Sequence, residues 1–74
     1  MKDKMKKWAD KARTAIKWVA VDANGNVYGY DTKPNAGGFK HLWVGGENII
    51  PLGTTYDKYL RKNWDKTLRK VNYE

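Results

Sequence analysis

Apolar residues recur along this chain at two different periods, and the change of period marks its elements. Met5, Trp8, Ala9, Ala12, Ala15 and Ile16 are spaced by threes and fours, which places them on one stripe of a helix over residues 1–17. The lysines, Arg13 and both aspartates of this segment fall outside the stripe. Three of its apolar positions are alanine, so Trp8 must supply most of the burial. From Trp18 the period shortens to two. Trp18 to Asp22 and Val27 to Tyr30 alternate as strands around Asp22-Ala23-Asn24-Gly25-Asn26, a hairpin signal.

The turn type decides which residues share a face. A two-residue turn at Asn24-Gly25 is one solution. The preferred one is a type I turn with Asp22 first and Gly25 left-handed, closed by a bulge. Val21 then opposes Val27 and Val19 opposes Gly29, while Trp18, Ala20, Tyr28 and Tyr30 share the other face. An aliphatic face is thereby separated from an aromatic one.

Pro34-Asn35 and Gly37-Gly38 mark residues 32–40 as a loop, and His41 to Val44 reads as a third strand. After the Gly45-Gly46 turn, Ile49 to Leu52 reads as a last strand, held to the sheet edge by Pro51, which lacks a backbone donor. Beyond Thr55 the helical period returns at Tyr56, Leu60, Trp64, Leu68 and Val71. Asn63 is placed to cap a second short helix from Trp64, with Asp65 in its first turn and Arg69 and Lys70 at its end; one helix broken near Asn63 fits equally. The expected fold is α+β: an N-terminal helix, an antiparallel meander of three or four strands over 18–53, and a C-terminal helix or helix pair over 54–74. All 74 residues make one domain.

Charge sharpens this division. Residues 1–17 hold seven Lys/Arg against two acids, 18–53 two against three, and 54–74 six against three, giving the net +7 of the chain. A weakly charged aromatic sheet lies between two cationic segments. Such a charge favours anionic partners: nucleic acid, a nucleotide, or an acidic protein surface. It also rules out mimicry of DNA, which requires an acidic protein. A domain this short buries only about 60% of its unfolded surface, and with no cysteine no disulfide supplements it. Homodimerisation is the remaining common supplement. No apolar run spans a bilayer, and Lys2, Lys4, Lys6 and Lys7 precede no signal-peptide core, so the expectation is a cytoplasmic protein without membrane partners.

The chemistry-bearing residues are few. The chain has no serine, cysteine or glutamine and one histidine, which excludes nucleophilic triads built on Ser or Cys. His41 has no ligand-spaced partners, so neither a metal nor a cofactor is expected. Asp22 and Asp31 sit at opposite ends of the first hairpin and Glu47 lies in a glycine turn, which speaks against a carboxylate pair. Neither glycine pair has the Lys-Ser/Thr ending of a phosphate loop. The expectation is a protein without catalysis.

The aromatic content, four Trp, five Tyr and one Phe, is the stronger signal. Trp8 and Trp64 fall on helix stripes and read as core. Trp18, Tyr28, Tyr30 and Trp43 lie on strands. An open aromatic face would stack a base, with Lys6, Arg13, Lys17, Lys33 and Lys40 neutralising its phosphates. A face covered by helices would make the same rings core, and that is the more economical arrangement for a domain of this size.

The run W-V-A-V-D-A-N-G-N-V-Y-G-Y at 18–30, Pro34 after it, and N-W-D-K-T-L at 63–68 resemble a group of short uncharacterised proteins of tailed bacteriophages. These share a Trp-led hairpin and end in a Trp-acidic-Lys-Thr/Ser-Leu motif. The resemblance covers about residues 17–71, and the basic N-terminal helix lies outside it. It implies phage or prophage origin and a bacterial cytoplasm, and it assigns no functional residue. Small phage proteins of this kind commonly bind host factors, inhibiting restriction or CRISPR systems, sequestering nucleotide messengers or redirecting transcription. The resemblance therefore implies a binding protein that inhibits a host process. The alternatives are a small basic nucleic-acid-binding protein and a phage assembly accessory.

Overall fold

The computed structural model describes residues 4–11, 16–37, 41–45 and 48–71. Its elements run α1 (Lys6–Lys11), β1 (Trp18–Val21), β2 (Asn26–Tyr30), β3 (Asn35–Gly37), β4 (Leu42–Val44), β5 (Ile49–Thr54), α2 (Lys58–Lys62), a 3-10 turn (Trp64–Lys66) and β6 (Arg69–Lys70). Small helices and mostly antiparallel strands make it an α+β protein. The strands form a four-stranded sheet in the order β5-β2-β1-β6 and a separate β3–β4 pair.

The β1–β2 hairpin has the register the turn chemistry demands: Trp18 opposes Tyr30, Val19 opposes Gly29, Ala20 opposes Tyr28 and Val21 opposes Val27. Gly25 is left-handed at φ +95°, its N–H donates to the Asp22 carbonyl (2.9 Å), and the Asp22 N–H donates to the Asn26 carbonyl (2.9 Å). The aliphatic face of the sheet, with Val19, Val21 and Val27, is buried against Met5, Trp8 and Ile16, with Leu60 and Val71 completing the core. Gly29 leaves room for Ile16 on this face, since a Cβ there would lie 2.7 Å from the Ile16 side chain.

Five expectations need correction. Lys4 and Met5 form a turn ahead of α1, and Ile16 and Lys17 lie in no helix; the Lys17 N–H donates to Tyr30 and its carbonyl accepts from Val71, so the chain there already runs beside the sheet. Of the rest of the 1–17 helix, residues 1–3 and 12–15 lie outside the described residues. Within the 32–40 loop, Asn35–Gly37 forms β3 and pairs with β4. β4 therefore does not extend a meander, and β2 pairs with β5, with a bulge opposite Val27/Tyr28. The C-terminal helical period stops at the 3-10 turn: Arg69 and Lys70, read as the end of a helix, are strand residues opposite Val19 and Trp18. The break at Asn63 is present, but the Asn63 side chain does not cap the 3-10 turn that follows; its amide instead donates back to the Tyr59 carbonyl (2.9 Å), at the C-terminal end of α2. β5, carrying Pro51, lies at a sheet edge, where a missing N–H leaves no ladder bond unmade.

Asp57 starts α2. Its carboxylate accepts the N–H groups of Tyr59 (2.9 Å) and Leu60 (3.2 Å), satisfying donors that the first helical turn leaves free. Lys4 adds an ion pair to the same carboxylate (2.9 Å), and that contact, ahead of the backbone N–H bonds, holds the Asp57 carboxyl below its usual range.

Candidate binding surfaces

Three surfaces carry the chemistry. The first is the aromatic face. Cross-strand partners share a face of a sheet, so the register sets Ile49, Tyr30, Trp18 and Lys70 in one row and Pro51, Tyr28 and Ala20 in the next. The centre of this face is closed: Tyr30 is 1% exposed and Ala20 is fully buried. Burial, with the Asp22 charge and Tyr28 adding to it, pushes the Tyr30 hydroxyl to a higher pKa than a free tyrosine has. Tyr30 is thus a structural ring, which corrects its reading as a stacking residue. Trp18 and Tyr28 remain half-buried. The Lys33 ammonium stands 5.6 Å from the Trp18 ring centre, a cation–π contact that joins two of the expected binding residues.

Trp43 is spent on structure. Its indole N–H points at the carbonyls of Val21 (3.0 Å) and Trp64 (3.1 Å), its backbone N–H donates to the Asp22 carboxylate (2.9 Å), and its ring meets Trp64 edge-on at 6.0 Å. Thr67 finishes the junction: its hydroxyl accepts the Val21 N–H (2.9 Å) and lies 2.7 Å from the Trp64 carbonyl, prolonging the β1 edge where β6 has ended. His41, expected as a strand residue, is an exposed turn residue at φ +55°.

The Asp22 carboxyl is buried, and desolvation raises its pKa against the opposing Trp43 N–H bond. A raised folded-state value means the folded protein binds the proton more tightly than the unfolded chain does. Stability from this group is full below the unfolded value of about 3.9 and is lost as pH rises through the folded value. Asp22→Asn keeps an acceptor for Trp43 and removes the charge. Denaturant titrations at a series of pH values above about 4 should show the variant gaining on the native protein as pH rises. Parallel stability curves would sink the assignment.

The second surface is a cleft of about 310 Å³ between α1 and β6, lined by Met5, Lys6, Ala9, Asp10, Arg69, Lys70 and Val71. Met5 and Val71 are buried and form an apolar floor, while Lys6, Asp10, Arg69 and Lys70 are exposed at the rim. The Arg69 guanidinium is partly turned onto the backbone, donating to the carbonyls of Lys66 (3.0 Å) and Leu68 (2.9 Å). Lys6 was legible as a binding candidate, but Lys70 and Arg69 were not, because their position follows from a strand the sequence does not announce. Lys17 is exposed where the chain enters β1, and Arg13 and Lys40 lie outside the described residues.

The third surface surrounds the start of α2. Tyr56, expected on the core stripe, is 84% exposed, and Tyr59 is 62% exposed. The signal for this lay in Asp57: as N-cap it starts the helix at Lys58 and leaves Tyr56 before it.

Among the described residues, no group of three or more His, Cys, Asp or Glu gathers where a metal would bind, and no helix is long and apolar enough to cross a membrane. No protein-family model, curated protein or solved structure matches this chain.

Proposed function

We propose that this chain is a non-enzymatic, phage-encoded binding protein that inhibits a host process, antiviral defence foremost, by stoichiometric binding of an acidic surface on a host protein. The supporting observation is the α1–β6 cleft. The two basic ends of the sequence meet there, Lys6 from one and Lys70 with Arg69 from the other, around an apolar floor. An apolar seat within a cationic rim suits an acidic partner that also presents an aliphatic side chain, with rim charges speeding encounter and the floor adding affinity. A nucleotide messenger fits less well, because the buried Tyr30 and Ala20 leave the sheet no continuous stacking platform. In this reading the 74 residues act as one domain in the bacterial cytoplasm, with helical segments on its N- and C-terminal sides.

Lys6→Glu combined with Lys70→Glu tests the reading. Both side chains are exposed, so the melting temperature should stay near that of the native protein. Co-purification from host cells, with native mass spectrometry of the eluate, should give a stoichiometric protein complex whose yield falls about tenfold or more in the variant. An unchanged complex, or a native mass carrying a nucleotide and no protein, would overturn it.

A further inference from the structure

The tyrosines at the start of α2 lie outside the cleft and outside the hydrophobic core. Among the described residues no large apolar side chain is more exposed than Tyr56, at 84%, and Tyr59 is 62% exposed three positions on. Tyr59 is not loose: the Lys4 ammonium stands 5.3 Å from its ring centre and is itself held by Asp57 at 2.9 Å. The surrounding charge is positive. Lys58, Arg61 and Lys62 are exposed on α2, and the one acid of this stretch, Asp57, is occupied by two helix N–H groups and Lys4.

We propose that this surface binds single-stranded nucleic acid, with bases stacked on Tyr56 and Tyr59 and phosphates neutralised by Lys58 and Lys62. Protruding rings beside cations are what an unpaired strand requires, since every base has a face to stack and every linkage a charge. Protein hot spots differ, because they sit desolvated inside pockets, and Tyr56 occupies none. A second copy of this chain is the wrong occupant on charge, since each copy carries +7. The duplex is disfavoured because its bases already stack on one another. The proposal goes beyond the cleft reading and uses other residues.

Fluorescence anisotropy with a labelled oligothymidylate of about fifteen nucleotides tests it. The native protein should bind the single strand more tightly than a duplex of equal length, and should weaken steeply between about 50 and about 200 mM salt. Tyr56→Ala and Tyr59→Ala should each weaken binding about tenfold, while Tyr56→Phe, which keeps the ring, should bind like the native protein. Lys58→Glu with Lys62→Glu should reduce the logarithmic salt slope by about 1.4, corresponding to two phosphates. Circular dichroism of each variant confirms the fold. Lys6→Glu/Lys70→Glu should leave the dependence on Tyr56 intact, so this proposal and the cleft reading fail separately. The proposal is overturned by absent binding at low salt, by equal affinity for strand and duplex with no effect of Tyr56→Ala, or by self-association that Tyr56→Ala abolishes.

Discussion

Gly25→Val is expected to cost about 3–5 kcal/mol, combining strain at a left-handed residue with a backbone clash. Gly25 sits at φ +95°, where a β-branched residue fits worst. A Cβ there would also lie 2.5 Å from the Thr55 carbonyl oxygen. That oxygen has little freedom to withdraw, because the Thr55 N–H donates to the Gly25 carbonyl at 2.8 Å and ties the end of β5 to the turn. The loss is comparable with the whole stability of a domain of this length, about 4–11 kcal/mol on the usual per-residue scale. Urea unfolding should therefore show a midpoint collapsed towards zero denaturant. Gly25→Ala should already suffer much of this, since it introduces the same Cβ. A valine variant within about 1 kcal/mol of the native protein would mean that the turn is built differently and the β1–β2 register is wrong.

That turn belongs to the part of the fold the sequence announces. The Val and aromatic alternation on either side of a glycine turn fixes both the pairing and the separation of faces, because a slip of one residue would exchange the valines and the aromatic rings between the two faces. Pro51 announces an edge in the same local way. β3 and β6 are different. Asn-Ala-Gly has little preference for a strand, and Arg69-Lys70 is too short to alternate. Both are strands because a partner edge is available, which is a tertiary fact. The fourfold period misled for a related reason: Val71 is a core residue, so it fits the helical stripe while reaching the core from a sheet edge. The cleft inherits this illegibility. Lys6 is visible as a cation at the sequence level, but its neighbours Lys70 and Val71 come from the far end of the chain.

Trp8→Ala is expected to lose about 3–5 kcal/mol and, with it, partner binding. α1 has six residues and cannot persist alone in water. Its attachment runs through Met5 and Trp8, both buried, and the Trp8 ring lies against Gly53, where a Cβ would meet Cζ3 at 3.0 Å. The Lys11 ammonium, 5.5 Å from the same ring, adds a cation–π contact that alanine also removes. Without the indole, α1 loses its hold on the sheet, and Lys6 is no longer fixed opposite Lys70. Amide exchange should show the α1 amides losing protection before those of β1 and β2, since the hairpin keeps its own ladder. Lys6→Glu/Lys70→Glu makes the informative contrast: it should remove binding at unchanged stability, whereas Trp8→Ala should remove both together. A Trp8→Ala protein that melts as the native one does and still retains its partner would show that α1 is no wall of the binding surface. The partner would then have to be held by β6 and the basic residues beyond the cleft.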